Sequence, residues 1–286
     1  MTDALIEHRR IDSMTVLTLC AGKANAFDLP LLDALTRAVD AAVAAGATAL
    51  IVTGEGATFS GGLALPSLID LDRAGVKTLI TALAVAMRRV LEAPIPVVAA
   101  INGNAIAGGC VLALMCDERI MADRGPPLKG DPRRAVSAPL AARGSADRSP
   151  RLGPKAPPRI GLNEAQLGLG LPAVVIEVMR TRLPFAAHVP VALEGRLFEP
   201  EQAQRIGLVD EVVATAQLET RVIERARSLA TAAPIAYAQI KRALLRPTIE
   251  AIDRVDSAET EAWLDTWFSA EGQRRMRATV ARITKR

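Results

Sequence analysis

The stretch Ile101-Asn102-Gly103-Asn104-Ala105-Ile106-Ala107-Gly108-Gly109-Cys110-Val111-Leu112-Ala113-Leu114-Met115-Cys116-Asp117 decides the fold. It begins where the continuous apolar run Pro96–Asn102 ends, and such a run is expected of a strand buried on both faces. Small residues follow, and then the apolar segment Val111–Met115, which predicts a helix. A strand feeding a helix N-terminus through small residues leaves backbone N–H groups free, in a favourable dipole, and accessible to a ligand.

Working outward, Met14–Leu19 and Thr48–Thr53 are further strand candidates, and Arg119–Ala122 is a fourth. Between the first two, Asp28 with Pro30 predicts a helix start, with Leu32, Leu35, Val39 and Val43 on one face and Gly46 as its end. Ser67 is expected to open a second helix, carrying Leu68, Leu71, Leu79, Leu83, Met87 and Val90 and closing before Pro94. Strands alternating with helices at roughly thirty-residue spacing argue for an α/β fold. In the later half, Ala173–Leu183 and Pro200–Ile206 are predicted helices and Val209–Val213 a short strand. From about Thr215 to Arg286 only helices are expected, broken at Pro234 and Pro247.

The chain has 286 residues, 50% of them hydrophobic and 23% charged, enough for a sizeable core and against wholesale disorder. No apolar run approaches a membrane span, and no secretory signal is visible at Met1–Ala4. Cys20, Cys110 and Cys116 have no metal-ligand spacing and are expected to be reduced thiols of a cytoplasmic protein. The net charge of +4 is concentrated. Residues 125–159 hold eight basic and two acidic residues and eight of the 18 prolines, with no aromatic. That composition predicts a disordered, outward-facing insertion. It lacks the stacking aromatics of a nucleic-acid binder, so no nucleic-acid partner is expected.

Several chemistries are excluded by pattern. There is no phosphate-binding G-x-x-x-x-G-K-[ST] loop, and no His/Cys/carboxylate cluster with metal spacing. Ser60 has no G-x-S-x-G around it, and the two histidines, His8 and His188, are remote in sequence. A second glycine turn, Phe59-Ser60-Gly61-Gly62, follows the strand ending near Thr53. Two such turns on neighbouring strands can aim two N–H groups at one oxygen, an oxyanion hole in which one donor is worth about 10²–10³ in rate. Taken singly, each turn reads as a tight turn and no more.

Together these motifs resemble the crotonase (enoyl-CoA hydratase/isomerase) superfamily. Ile101–Asp117 follows its N-G-x-A-x-[AG]-G-G-x-x-L-A-x-x-C-D pattern, and Phe59–Gly62 its F-S-[AG]-G turn. Asn25-Ala26-Phe27, Ile160-Gly161-Leu162-Asn163-Glu164, and Gly195 with Pro200–Val213 resemble further elements. The resemblance implies a spiral of ββα turns over residues 1–213, interrupted by the insertion, and a helical trimerisation region over 214–286. It implies an acyl-CoA thioester as partner, held by the N–H groups of Gly61 and Gly108. Ala24, Ala26, Leu63, Leu65, Gly109 and Val111 would line the CoA and acyl path. A homotrimer or hexamer is implied, with no metal or redox cofactor.

The sequence departs from the family in its proton-transfer groups. Val111 stands where the two-glutamate hydratases of the family place one glutamate. Ala64 replaces a frequent Asp. Glu164 is retained. Hydration in those enzymes divides its work between two carboxylates, whereas shifting a double bond needs one proton removed and returned. The expectation is therefore an enoyl-CoA isomerase with Glu164 as base. The alternatives are an enoyl-CoA hydratase and a catalytically silent acyl-CoA-binding protein. On the structural side, Glu164 also reads as a solvated carboxylate near a helix start. A contribution of the basic insertion to CoA binding predicts weaker affinity when residues 126–158 are deleted.

Overall fold

The continuous apolar runs form the middle of a six-stranded sheet because both faces of that sheet are covered. The computed structural model describes residues 4–124 and 157–284, so most of the predicted insertion lies outside the described residues. The chain opens with β1 (Ile6–Ile11) and β2 (Met14–Leu19), an antiparallel pair. Then come α1 (Leu29–Ala44), β3 (Leu50–Gly54), β4 (Thr58–Ser60), α2 (Leu65–Leu68) and α3 (Arg73–Leu91). Next are β5 (Val97–Ile101), β6 (Asn104–Ile106), α4 (Gly108–Met115), β7 (Glu118–Ala122) and β8 (Ile160–Gly161). The remainder is α5 (Ala173–Arg182), α6 (Phe185–His188), α7 (Pro200–Arg205), β9 (Glu211–Val213), α8 (Leu218–Leu229), α9 (Pro234–Asp253), α10 (Ser257–Phe268) and α11 (Ala270–Thr284).

The large sheet has the order β1-β2-β3-β5-β7-β9, parallel from β2 onward, and a small parallel sheet has the order β4-β6-β8. Each turn of the spiral gives one strand to the large sheet and the next to the small one. Alternate side chains divide the large sheet's burial between two faces. Leu17, Leu50, Val52, Ala99 and Met121 face the main core, while Val16, Ile51, Val98 and Ile120 pack with Leu218, Val222 and Ala226 of α8. α4 is buried on every side, which is why it shows no polar face.

Two buried or half-buried asparagines staple the spiral. Asn25, at φ 46°, donates from Nδ2 to the carbonyls of Glu55 (3.1 Å) and Thr58 (2.8 Å), and its Oδ1 accepts the Ala21 N–H. Asn102 donates to the carbonyls of Gly54 (2.7 Å) and Gly56 (3.1 Å) and accepts the Gly54 N–H. Both pin the connection from β3 to β4. Arg119 is nearly fully buried. Its backbone N–H (2.7 Å) and its Nη2 (2.6 Å) both donate to Asp210, tying β7 to the segment entering β9.

The fold departs from the sequence reading in four places. β1 was not anticipated. Four of its six residues are exposed, so no apolar pattern marks it. Ser67 does not open the long helix. It lies in α2 and donates to Ala64 O, and Asp72 caps α3 by accepting the Gly75 N–H at 2.8 Å. Pro247 does not break α9, because Lys241, Leu245 and Thr248 are buried on both sides of it and packing outweighs the local cost. The last strand is shorter, Glu211–Val213. Beyond residue 213, Leu245, Trp263, Leu264, Trp267 and Met276 pack into the main core of the spiral. Among the described residues no helix is long and apolar enough to cross a membrane.

Replacing Asn25 by Ala removes these bonds and strands buried carbonyls. The expected loss of unfolding free energy is about 2–3 kcal/mol, to be read from urea denaturation midpoints.

Candidate active site

The chemistry-bearing groups converge on the N-terminus of α4. In the first turn, Ser60 is fully buried. Its hydroxyl donates to Asn25 O (2.8 Å) and accepts the Gly62 N–H (3.2 Å), so it is a structural group and not a nucleophile. The Gly61 N–H donates to Ala24 O at 2.8 Å. The family resemblance assigns the first oxyanion donor to Gly61, but its hydrogen is engaged by the short 3₁₀ turn Gly22–Ala24. The Phe27 N–H donates to Gly62 O (2.7 Å), and the Ala64 N–H donates to Phe27 O (2.9 Å). Leu63 lies between these two bonds. Its N–H has no acceptor among the described residues.

In the second turn, the Ala107 N–H donates to Gly161 O at 2.9 Å, and Ala107 adopts φ 50°, ψ −119°, a conformation that costs a non-glycine residue strain. Gly108 then opens α4, and its N–H also has no acceptor among the described residues. The two turns touch. A Cβ on Gly62, itself at φ 85°, would stand 3.0 Å from the Gly108 nitrogen, and a Cβ on Gly109 would stand 2.2 Å from Ser60 O. Glycine at both positions permits that approach. Among the described residues, Leu63 in the first turn and Gly108 in the second are thus free donors, with the α4 dipole behind the second.

The carboxyl arrives through β8. Ile160 pairs with Ala105 and Gly161 with Ile106, and the Arg159 N–H donates to Asn104 Oδ1 at 2.8 Å. Glu164 follows three residues after Gly161. It is half-buried as a residue, but its Oε2 is fully buried with no partner among the described residues, and Asn163 Oδ1 beside it is in the same condition. Burial pushes the Glu164 carboxyl up to about 7, against the opposing effect of its own backbone N–H. This is not a solvated surface acid. Its charge reaches Cys110, two residues past Gly108, whose thiol is pushed up first by burial and then by Glu164.

Val111 is 1% exposed and wholly apolar in its surroundings on α4. Gly109 is buried against Ser60. Leu63 and Ala26 are half-buried, Leu65 is buried at the start of α2, and Ala24 is exposed. His8 is exposed on β1, and His188 lies on α6 against Leu183 O. Among the described residues no group of three His, Cys, Asp or Glu is placed to hold a metal. Leu63 was missed as a donor because the engagement of Gly61 depends on a turn almost forty residues upstream.

Comparison with known proteins agrees with this architecture. Residues 10–126 and 154–279 match the enoyl-CoA hydratase/isomerase family. The chain belongs to that family, within the crotonase superfamily. It is 29% identical over 158 residues to human mitochondrial enoyl-CoA delta isomerase 1, a match covering 55% of this chain and 42% of that protein. The chain thus matches less than half the length of this relative. A putative enoyl-CoA hydratase of Thermus thermophilus is 26% identical over 247 residues, covering 85% of this chain and 82% of that one. The crystal structure of human mitochondrial delta3-delta2-enoyl-CoA isomerase superposes with a TM-score of 0.82, covering 98% of each chain at 22% identity, a likeness of fold alone.

The raised Glu164 carboxyl gives a stability prediction. The folded chain holds this proton more tightly than the unfolded chain, where the ordinary value of 4.5 applies. The stabilisation is complete below that value and is lost as pH rises through about 7. Glu164→Gln is therefore expected to raise unfolding free energy at pH 8 by about 2–3 kcal/mol and to change it little at pH 4. Urea titrations at the two pH values check this.

Proposed function

We propose that the protein is an enoyl-CoA isomerase, moving the double bond of a 3-enoyl-CoA to the 2-position. The observation that carries this reading is a buried carboxyl, Glu164, near Cys110 of α4, with apolar, buried Val111 at the position where the two-glutamate hydratases of the family carry a second acid. In the proposed reaction the thioester oxygen accepts hydrogen bonds from the Leu63 and Gly108 N–H groups. Ionised Glu164 removes a proton from C2. The resulting negative charge is delocalised onto the thioester oxygen, where the two donors and the helix dipole stabilise it more than they do the ground state. The protonated carboxyl then returns the proton to C4 as the double bond settles between C2 and C3. No metal or redox cofactor enters this scheme, and CoA is part of the substrate. Similarity to the human isomerase supports the reading.

Exposed apolar side chains elsewhere support self-association. Phe185, Val189 and Leu193 follow one another at helical spacing and are 87%, 52% and 74% exposed, and Ile240 and Leu244 of α9 are also exposed. Apolar side chains at that exposure fit an interface between copies of the chain, in a trimer or hexamer.

The test is a panel of 3-enoyl-CoA thioesters, followed by absorbance of the conjugated product. Turnover is expected to rise through about pH 7 as Glu164 ionises, and Glu164→Gln is expected to lower kcat by about 10²–10⁴-fold. Hydration of 2-enoyl-CoA without isomerisation would replace this reading by the hydratase one. Tight acyl-CoA binding without either reaction would mark a silent binder.

A further inference from the structure

The C-terminal helices take an unusually complete grip on the segment that follows Glu164. Glu164 O accepts the N–H groups of Leu167 (2.8 Å) and Leu169 (3.0 Å), which makes residues 164–170 one hydrogen-bonded strap. At its far end, both backbone polar groups of Gly170 are taken by α10. The Gly170 N–H donates to Thr266 Oγ1 at 3.0 Å, and Trp263 Nε1 donates to Gly170 O at 2.9 Å. The Thr266 hydroxyl donates in turn to Trp263 O at 2.7 Å, so its lone pair is left directed at Gly170. Midway, Gly168 stands so close to α11 that a Cβ there would lie 2.9 Å from Gly272 Cα. Nearer still to Glu164, Arg275 Nη1 donates to Gln166 O at 3.2 Å.

The grip is itself anchored to the spiral. Arg73 of α3 pairs with Glu261 and Asp265 of α10, both at 2.7 Å, and Trp267 is fully buried in the main core. The strap is thus held between β8, which fixes its start, and α10–α11, which fix its middle and end.

We infer that α10 and α11 form a positioning clamp for Glu164, in which Trp263 and Thr266 hold Gly170 and Gly272 seats Gly168, so that the carboxyl is kept inside the protein. The catalytic consequence rests on Glu164 being the base proposed above; the clamp itself does not. Cys110 of α4 is the titratable group within reach of the carboxyl. On the strap side stands Arg275, paired with Glu271, and on α10 Glu261 and Asp265 are paired with Arg73. Among the described residues, it is burial and not a charged neighbour that holds the carboxyl up. Loosening the strap admits water and lets the group fall toward the ordinary carboxylate range.

The test is a direct titration of Glu164 in the full chain by carbon NMR of labelled glutamate, with Glu164→Gln assigning the signal. Trp263→Phe keeps a ring and removes one bond, and Thr266→Val keeps the shape and removes the other. In each, the carboxyl is expected to titrate lower than in the wild type, and kcat for 3-enoyl-CoA is expected to fall about tenfold with KM nearly unchanged. Thr266→Ser, which retains the hydroxyl, restores the wild-type titration. An unshifted titration in both Trp263→Phe and Thr266→Val overturns the clamp, even if thermal stability drops. Turnover that survives Glu164→Gln would remove the base from the proposed reaction, and the titration would still decide the clamp.

Discussion

The parallel pairing of β6 with β4 on one side and β8 on the other is the constraint on which the rest of the site depends. These strands are only two or three residues long. They nevertheless bring three segments far apart in sequence, ending at Leu63, Gly108 and Glu164, to one end of α4. Strands so short cannot hold register by their own ladder bonds. Side chains supply the rest. Asn25 and Asn102 pin the approach to β4, and Asn104 receives the chain as it enters β8 at Arg159. The return of the chain to Asn104 fixes the start of the segment that carries Glu164.

Two buried carboxyls show how differently the structure treats a scaffold acid and a reactive one. Asp117 accepts hydrogen bonds from the Val97 N–H (3.0 Å), the Tyr237 hydroxyl (3.1 Å) and Lys241 Nζ (2.6 Å), with Arg182 at 3.4 Å. These partners join α4, β5, α5 and α9, and burial lowers the Lys241 ammonium while Asp117 opposes it. The Asp117 carboxylate is thereby occupied by its partners and is held as a scaffold acid. Glu164 has Oε2 buried and unpaired. An unpaired buried acceptor costs stability, and it persists where surrounding packing over-determines it, which is a recurrent property of functional sites.

What was legible in the sequence follows the same division between local and distant causes. The buried strands stood out because both sheet faces are covered, which turns alternation into continuous apolar runs. The cap at Asp28 was legible because its partner, the Leu31 N–H at 2.9 Å, lies three residues away. The glycine turns were legible as close backbone approaches. β1 was not, because its exposed side chains carry no pattern, and its place depends on β2. Asp72, not Ser67, caps α3 because the chain makes a separate short helix first, a choice set by packing of Leu65 and Leu68. The availability of the Leu63 N–H and the engagement of Gly61 are settled by bonds to Ala24 and Phe27, which no local pattern records.

Val111 bears on which chemistry the site can perform through electrostatics as much as through its lack of a proton. Every residue of α4 is buried, so an acid at position 111 would enter an apolar helix one residue from Cys110, whose thiol Glu164 already perturbs. Two carboxylates in such a place repel, and one of them holds its proton well above the ordinary range. That arrangement supplies an acid and a base together, as addition of water requires. With valine at 111, burial, opposed by its own backbone N–H, sets the Glu164 carboxyl at about 7, where a single group can lose and regain one proton near neutrality. A proton shuttle needs that midpoint more than it needs a second acid. On the proposed chemistry, the substitution therefore leaves the oxyanion donors intact and removes only the half of the machinery that a double-bond shift does not use.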